Sequence, residues 1–127
     1  MSGRKFPASL RMRIRSEIRE VYSQGKYRPL GPIGAKYLRT SLQGSRFLVT
    51  VKKNVGHAPF RNRIKRILRE GIRHHRHQFN QAHDICLMVT RKPKFLLKFD
   101  YVSGLIGQLA DDLNAQSAQE KVSTQNA

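Results

Sequence analysis

The chain has 127 residues, 39% of them apolar, which is enough for one modest core, so a single domain is expected. Twenty-five Lys and Arg against eight Asp and Glu give a formal charge of +17. A compact fold gains nothing from that self-repulsion, so a polyanion is the natural partner, nucleic acid ahead of an anionic membrane. A single cysteine, Cys86, excludes an internal disulfide and a cysteine-based zinc cluster and reads as a small buried hydrophobe. The longest apolar run, Ile85 to Val89, falls far short of the roughly 20 residues that span a bilayer. No apolar stretch follows the basic N-terminus, so a cytoplasmic location is expected.

Residues 1–8 read as a flexible basic lead-in, residues 9–113 as the folded domain and residues 114–127 as a disordered polar tail. From about Ser9 to Ser23, Ile14, Ile18, Val21 and Tyr22 form one helical stripe, with Gly25 as a stop. Tyr27 to Gly34, with two prolines and two glycines, reads as a loop or irregular edge holding at most one short strand. Ala35 to Leu42 suggests a strand, Gln43-Gly44-Ser45 a turn, and Phe47 to Val51 a strand rich in β-branched and aromatic residues. A long helix is expected from about Pro59 to Phe79, with proline at its first position. Gly71 lies in its apolar arc, a placement that suggests close approach to a sheet. His83 to Thr90 is a strand whose continuous apolar run implies burial on both faces. Arg91 to Lys94 is a basic loop, and Phe99 to Leu113 a last helix. The order is roughly α-β-β-β-α-β-α. The strands flanking the long helix are either parallel neighbours or separated by another strand.

The informative segment is Phe60 to Arg73. Its apolar residues Phe60, Ile64, Ile67, Leu68 and Ile72 point one way, while Asn62, Arg63, Lys65, Arg66, Arg69, Arg73, Arg76 and His77 fill the other side with only Glu70 to offset them. Like charges three and four residues apart disfavour a helix by a few tenths of a kcal/mol per pair, roughly. A face arranged against itself implies an absent anion, and arginine's planar fork suits phosphate. Asn62 is able to reach a base edge or a 2′-hydroxyl, or simply to lie exposed.

Arg61-Asn62-Arg63-Ile64-Lys65-Arg66 resembles the RNR signature helix of the bacterial ribonuclease P protein family. Arg46 to Ala58 is similar to that family's strand and glycine loop at the same spacing. Phe6-Pro7, Met12-Arg13, Glu17-Ile18, Val21-Tyr22 and Gly25 are similar to its first helix, and Asp84 to Val89 with Arg91-Lys92-Pro93 to its last strand and loop. Asn54 and His57 depart from the usual lysine and asparagine, and Pro59 stands where an ordinary residue is common.

The resemblance implies an α+β, two-layer domain like the second domain of ribosomal protein S5, a central mixed sheet with helices and a left-handed βαβ crossover. It also implies the protein subunit of a ribonucleoprotein that cuts the 5′ leader from precursor tRNA. The RNA subunit does the cutting with Mg2+ bound mainly by RNA, so no catalytic or metal-ligating residue is expected in the protein, which alone is expected to be inactive. Partners are ribonuclease P RNA and precursor tRNA, with neither a membrane nor an obligate protein partner. The RNA-subunit face would be Arg61, Asn62, Arg63, Lys65, Arg66, Arg69 and Arg73. The leader cleft, between the first helix and the sheet, would use Phe6, Tyr22 and Tyr37 as stacking platforms and Arg13, Lys52 and Lys53 as cations. For either tyrosine a core role is the competing reading.

Two other classes stay open on residues alone. A protein-only nuclease would need clustered carboxylates, and none lies near the basic helix. His74, His75 and His77 read as polar residues favoured at a helix C-terminus. A non-catalytic RNA-binding protein of the same superfamily, such as a ribosomal protein, fits the composition equally well.

Overall fold

The computed structural model describes residues 15–40, 42 and 44–126, with side chains through residue 116. The order is helix α1 (Arg15–Gln24), strands β1 (Lys26–Leu30), β2 (Ile33–Arg39) and β3 (Arg46–Val51), helix α2 (Ala58–His75), strand β4 (His83–Val89) and helix α3 (Phe99–Asn126). Short 3-10 turns at Lys53–Val55 and Arg76–Gln78 flank α2. The sheet runs β1-β2-β4-β3, antiparallel except for the β3–β4 pair, so the strands around α2 are parallel neighbours.

Residues 27–34 are not a loop. They form most of β1 and open β2, joined by the two-residue turn Gly31-Pro32, with Leu30 paired to Ile33. Gly31 takes a positive φ of 63°, which two-residue hairpin turns demand and glycine supplies without strain. Pro29 fits because β1 is an edge strand, where a missing N–H costs no ladder bond. Turn chemistry that reads as loop punctuation is here hairpin chemistry.

Alternation along the strands sorts the sheet into two faces. Ile85, Leu87 and Val89 of β4, Ala35 and Tyr37 of β2 and Phe47 and Val51 of β3 pack with Ile64, Leu68 and Ile72 of α2 and Val102, Ile106, Leu109 and Leu113 of α3. On the other face Cys86, Met88, Leu38 and Leu48 pack with Ile18 and Val21 of α1. The sheet therefore carries α2 and α3 on one side and α1 as a partial third layer on the other. From Ile85 to Val89 β4 is apolar on both sides, and both of its faces are covered.

Gly71 faces α3, not the sheet: a Cβ there would lie 2.6 Å from the Ile106 side chain. The glycine lets two helices, rather than a helix and a sheet, approach closely. Helix α3 also continues past Leu113 to Asn126, where a disordered tail was expected. Its extension is tied down at the start. Asn114 donates to the Gln78 carbonyl (2.6 Å) and accepts from the Asn80 N–H (2.9 Å), and the Tyr37 hydroxyl bonds Gln116 (3.1 Å). The following Ala, Gln, Glu and Lys residues are good helix formers.

Candidate nucleic-acid interface

Helix α2 is set by its entry. Val51 ends β3, and the 3-10 turn Lys53–Val55 drops Val55 into the core. Gly56 follows in extended backbone, where a Cβ would come within 2.7 Å of the Phe60 ring. His57 is the N-cap, its Nδ1 accepting from the Phe60 N–H at 3.4 Å, with Pro59 in the first turn. An asparagine carbonyl would cap in the same way, so the histidine keeps the cap with a different acceptor. Asn54 donates to the Thr90 carbonyl (3.2 Å), tying this entry loop to the end of β4.

The apolar arc of α2 is buried as its period requires, with Ile64, Leu68 and Ile72 each at most 1% exposed. The opposite face presents Asn62, Arg63, Arg66 and Arg69 to solvent. Among the described residues no carboxylate pairs with Arg63, Arg66 or Arg69. Arg61 is half-buried, its Nε–H donating to the Gly56 carbonyl at 3.0 Å, so it braces the entry loop as well as edging the cationic face. Lys65 is half-buried at the margin, and Arg73 lies 3.6 Å from Glu70. Of the seven residues expected on one face, Asn62, Arg63, Arg66 and Arg69 are exposed, while Arg61, Lys65 and Arg73 are half-buried.

The face of the sheet toward α1 forms a second surface. Arg46 pins α1 there. It donates two bonds to the buried Asp84 carboxylate (2.9 and 2.8 Å) and pairs with Glu17 of α1 at 2.8 Å. The Asp84 bond raises the Arg46 pKa above its ordinary value, against the opposing effect of burial. Cys86 lies under α1, and burial pushes its thiol up to about 11. Tyr22 stands at the rim, 38% exposed, with the Lys36 Nζ 5.8 Å from its ring centroid and donating to the Tyr22 carbonyl at 2.5 Å. A cation over a ring and an exposed ring face are suited to stacking on a base.

Tyr37 is not brought to this surface. It is paired with Ile85 on the opposite face, 8% exposed, edge-on to His83 and bonded to Gln116 of α3. Its neighbour Lys36, paired with Cys86, takes the cleft position. A shift of one residue along a strand exchanges the faces, so the alignment that brought Tyr37 into the cleft puts it into the core. Lys52 and Lys53 are exposed at the end of β3, where they join the cleft to the start of α2. Phe6 and Arg13 lie outside the described residues. Lys36 was missed because its face depends on pairing, although strict alternation from the apolar Ile33 and Ala35 would have found it. Among the described residues no group of three or more His, Cys, Asp or Glu side chains is placed to hold a metal ion.

Comparison with known proteins bears on this arrangement of a signature helix and a cleft. A ribonuclease P family model matches residues 6–110. The chain belongs to the ribonuclease P protein family. The ribonuclease P protein component of Dictyoglomus turgidum is 33% identical over 88 residues, covering 69% of this chain and 72% of that one. That of Syntrophomonas wolfei is 36% identical over 78 residues, covering 61% and 66%. In fold the chain is similar to the RNase P protein of Thermotoga maritima (TM-score 0.68, 24% identity, 79% and 94% covered). It is similar also to that of Staphylococcus aureus (TM-score 0.68, 21% identity, 78% and 90% covered). Among the described residues no helix is long and apolar enough to cross a membrane.

Proposed function

We propose that this ribonuclease P protein binds the catalytic RNA through the outward face of α2 and the 5′ leader of precursor tRNA through the cleft between α1 and the sheet. The observation that carries the first half is the row Arg63, Arg66 and Arg69, exposed and without carboxylate partners among the described residues, on a helix whose other face is core. Three cations spaced along one helical face neutralise successive phosphates, and the counterions they release drive association. For the second half, a leader of variable sequence needs contacts that any base satisfies. Tyr22 supplies a ring, and Lys36, Lys52 and Lys53 supply charge.

The protein's part is binding and positioning. The RNA subunit carries the cleavage, and the Mg2+ ions it requires are held mainly by RNA. On this reading the chain alone does not cleave. The test is leader removal from precursor tRNA in magnesium buffer by nuclease-treated protein, by the catalytic RNA, and by the two together. Activity in the protein-only arm would overturn the assignment of catalysis to RNA. No gain on adding protein to RNA at low magnesium would overturn the positioning role.

A further inference from the structure

A cavity of about 570 Å³ opens at the end of the sheet, between the β1–β2 turn and the segment joining β4 to α3. It is within the usual range for small-ligand sites. Three of its walls are exposed aromatic rings: Tyr27 (56%), Phe95 (53%) and Tyr101 (41%). Phe95 and Tyr101 meet edge to face at 5.3 Å. Tyr27 lies across Gly34, where a Cβ would meet its ring at 2.6–3.1 Å, so the missing side chain leaves the ring its place on the strand. The other rim is cationic, with Arg91 and Lys92 directly after β4 and Lys94 beyond Pro93, and no acidic side chain lines the cavity. Rings held open to water, beside cations with no carboxylate partner among the described residues, gain nothing for the fold. They match a ligand with an aromatic face and an anionic backbone.

The geometry points to this cavity as a binding site for one unstacked nucleotide of single-stranded RNA, with Tyr27, Phe95 and Tyr101 around the base and Arg91, Lys92 and Lys94 on the flanking phosphates. The inference rests on the RNA-binding reading above and adds a site to it. The cavity is continuous with that surface. Gly34 and Met88, paired at its edge, are two residues along the ladder and on the same face as Lys36 and Cys86, and the Asn54–Thr90 bond joins its lip to the Lys52–Lys53 turn. A strand of RNA leaving the α2 end therefore meets cations all the way to the aromatic walls.

The test uses the full chain and a short fluorescein-labelled oligouridylate, titrated at several salt concentrations. Tyr27→Leu and Phe95→Leu keep apolar volume and remove a ring; each should weaken binding about five- to 160-fold, the range of one lost base stack, without changing the salt slope. Tyr27→Phe should bind like the parent. Arg91→Ala should lower the slope by about 0.7. All four should melt like the parent, because the altered side chains are exposed. With 4-thiouridine in the oligonucleotide, crosslinks should map to Tyr27, Phe95 or Tyr101. If Tyr22→Leu weakens binding while Tyr27→Leu and Phe95→Leu do not, or if crosslinks fall only around Tyr22, the pocket is overturned and the wider reading stands. If the parent binds neither the oligouridylate nor the catalytic RNA, the wider reading falls and the pocket with it.

Discussion

If α2 binds RNA as proposed, its two faces separate binding from folding, and the separation is measurable. Replacing Arg63, Arg66 and Arg69 together by alanine removes three exposed cations. Each phosphate contact contributes about 0.7–0.9 to the slope of log affinity against log salt, so the slope should fall by about 2–3. Over a fourfold rise in salt, the advantage of the parent should therefore shrink by about twenty- to fortyfold. Stability should hold or rise slightly. Four like-charged pairs (Arg63–Arg66, Arg66–Arg69, Lys65–Arg69 and Arg69–Arg73) are relieved and one attractive spacing (Arg66–Glu70) is lost, each worth a few tenths of a kcal/mol, roughly, and alanine adds a similar small gain as a helix former. Leu68→Ala should do the reverse. Leu68 is fully buried, and its truncation costs about 2–5 kcal/mol, or roughly 8–20 °C in melting temperature at about 4 °C per kcal/mol for a chain of this size. Its salt slope, measured on the folded fraction, should stay put. The assay is a titration of catalytic RNA at several salt concentrations beside a thermal melt of each variant. If the triple variant keeps its slope and melts far lower, α2 presents its arginines to the protein interior and the reasoning is wrong.

Tyr22 and Tyr37 should part company. Tyr22→Ala should leave the melt nearly unchanged and weaken binding of long-leader precursor more than of mature tRNA; Tyr37→Ala should cost about 3–5 kcal/mol, as for a large buried aromatic, with no leader selectivity in what remains folded. A folded Tyr37→Ala protein with selective leader loss would contradict the face assignment. Arg46→Ala strands the buried Asp84 and frees α1. The loss should approach the lower end of about 3–5 kcal/mol, since Arg46 is partly solvated, and denaturant titration alongside Arg46→Lys measures it. Cys86 should resist iodoacetamide at pH 8 until the chain unfolds. Because the folded thiol keeps its proton up to about 11 while the unfolded one releases it near 9.0, its contribution to stability is complete below about 9 and declines as pH rises toward 11. Melts of the parent and Cys86→Ala between pH 8 and 11 should differ in that slope.

The sequence by itself determined the parts whose signal is local and periodic. The arc Ile64, Leu68, Ile72 against Arg63, Arg66, Arg69 needs only a helical period, and that helix carries the family signature. The double burial of β4 needs only an uninterrupted apolar run. Tertiary structure decided whatever depends on which residues meet. Alternation puts Lys36 and Tyr37 on opposite faces, but only packing shows that α1 covers the Lys36 face, because a strand has period two and one residue exchanges its faces. Gly71 marked a close approach, but only packing showed the neighbour to be Ile106 of α3. Tyr27 to Gly34 read as a loop or irregular edge, while the pairing of Leu30 with Ile33 made it a hairpin. The aromatic cavity gathers Tyr27 with Phe95 and Tyr101, 68 and 74 positions away along the chain. No window along the chain holds both, so their meeting is a property of the sheet order that sets β1–β2 beside β4, and of nothing shorter.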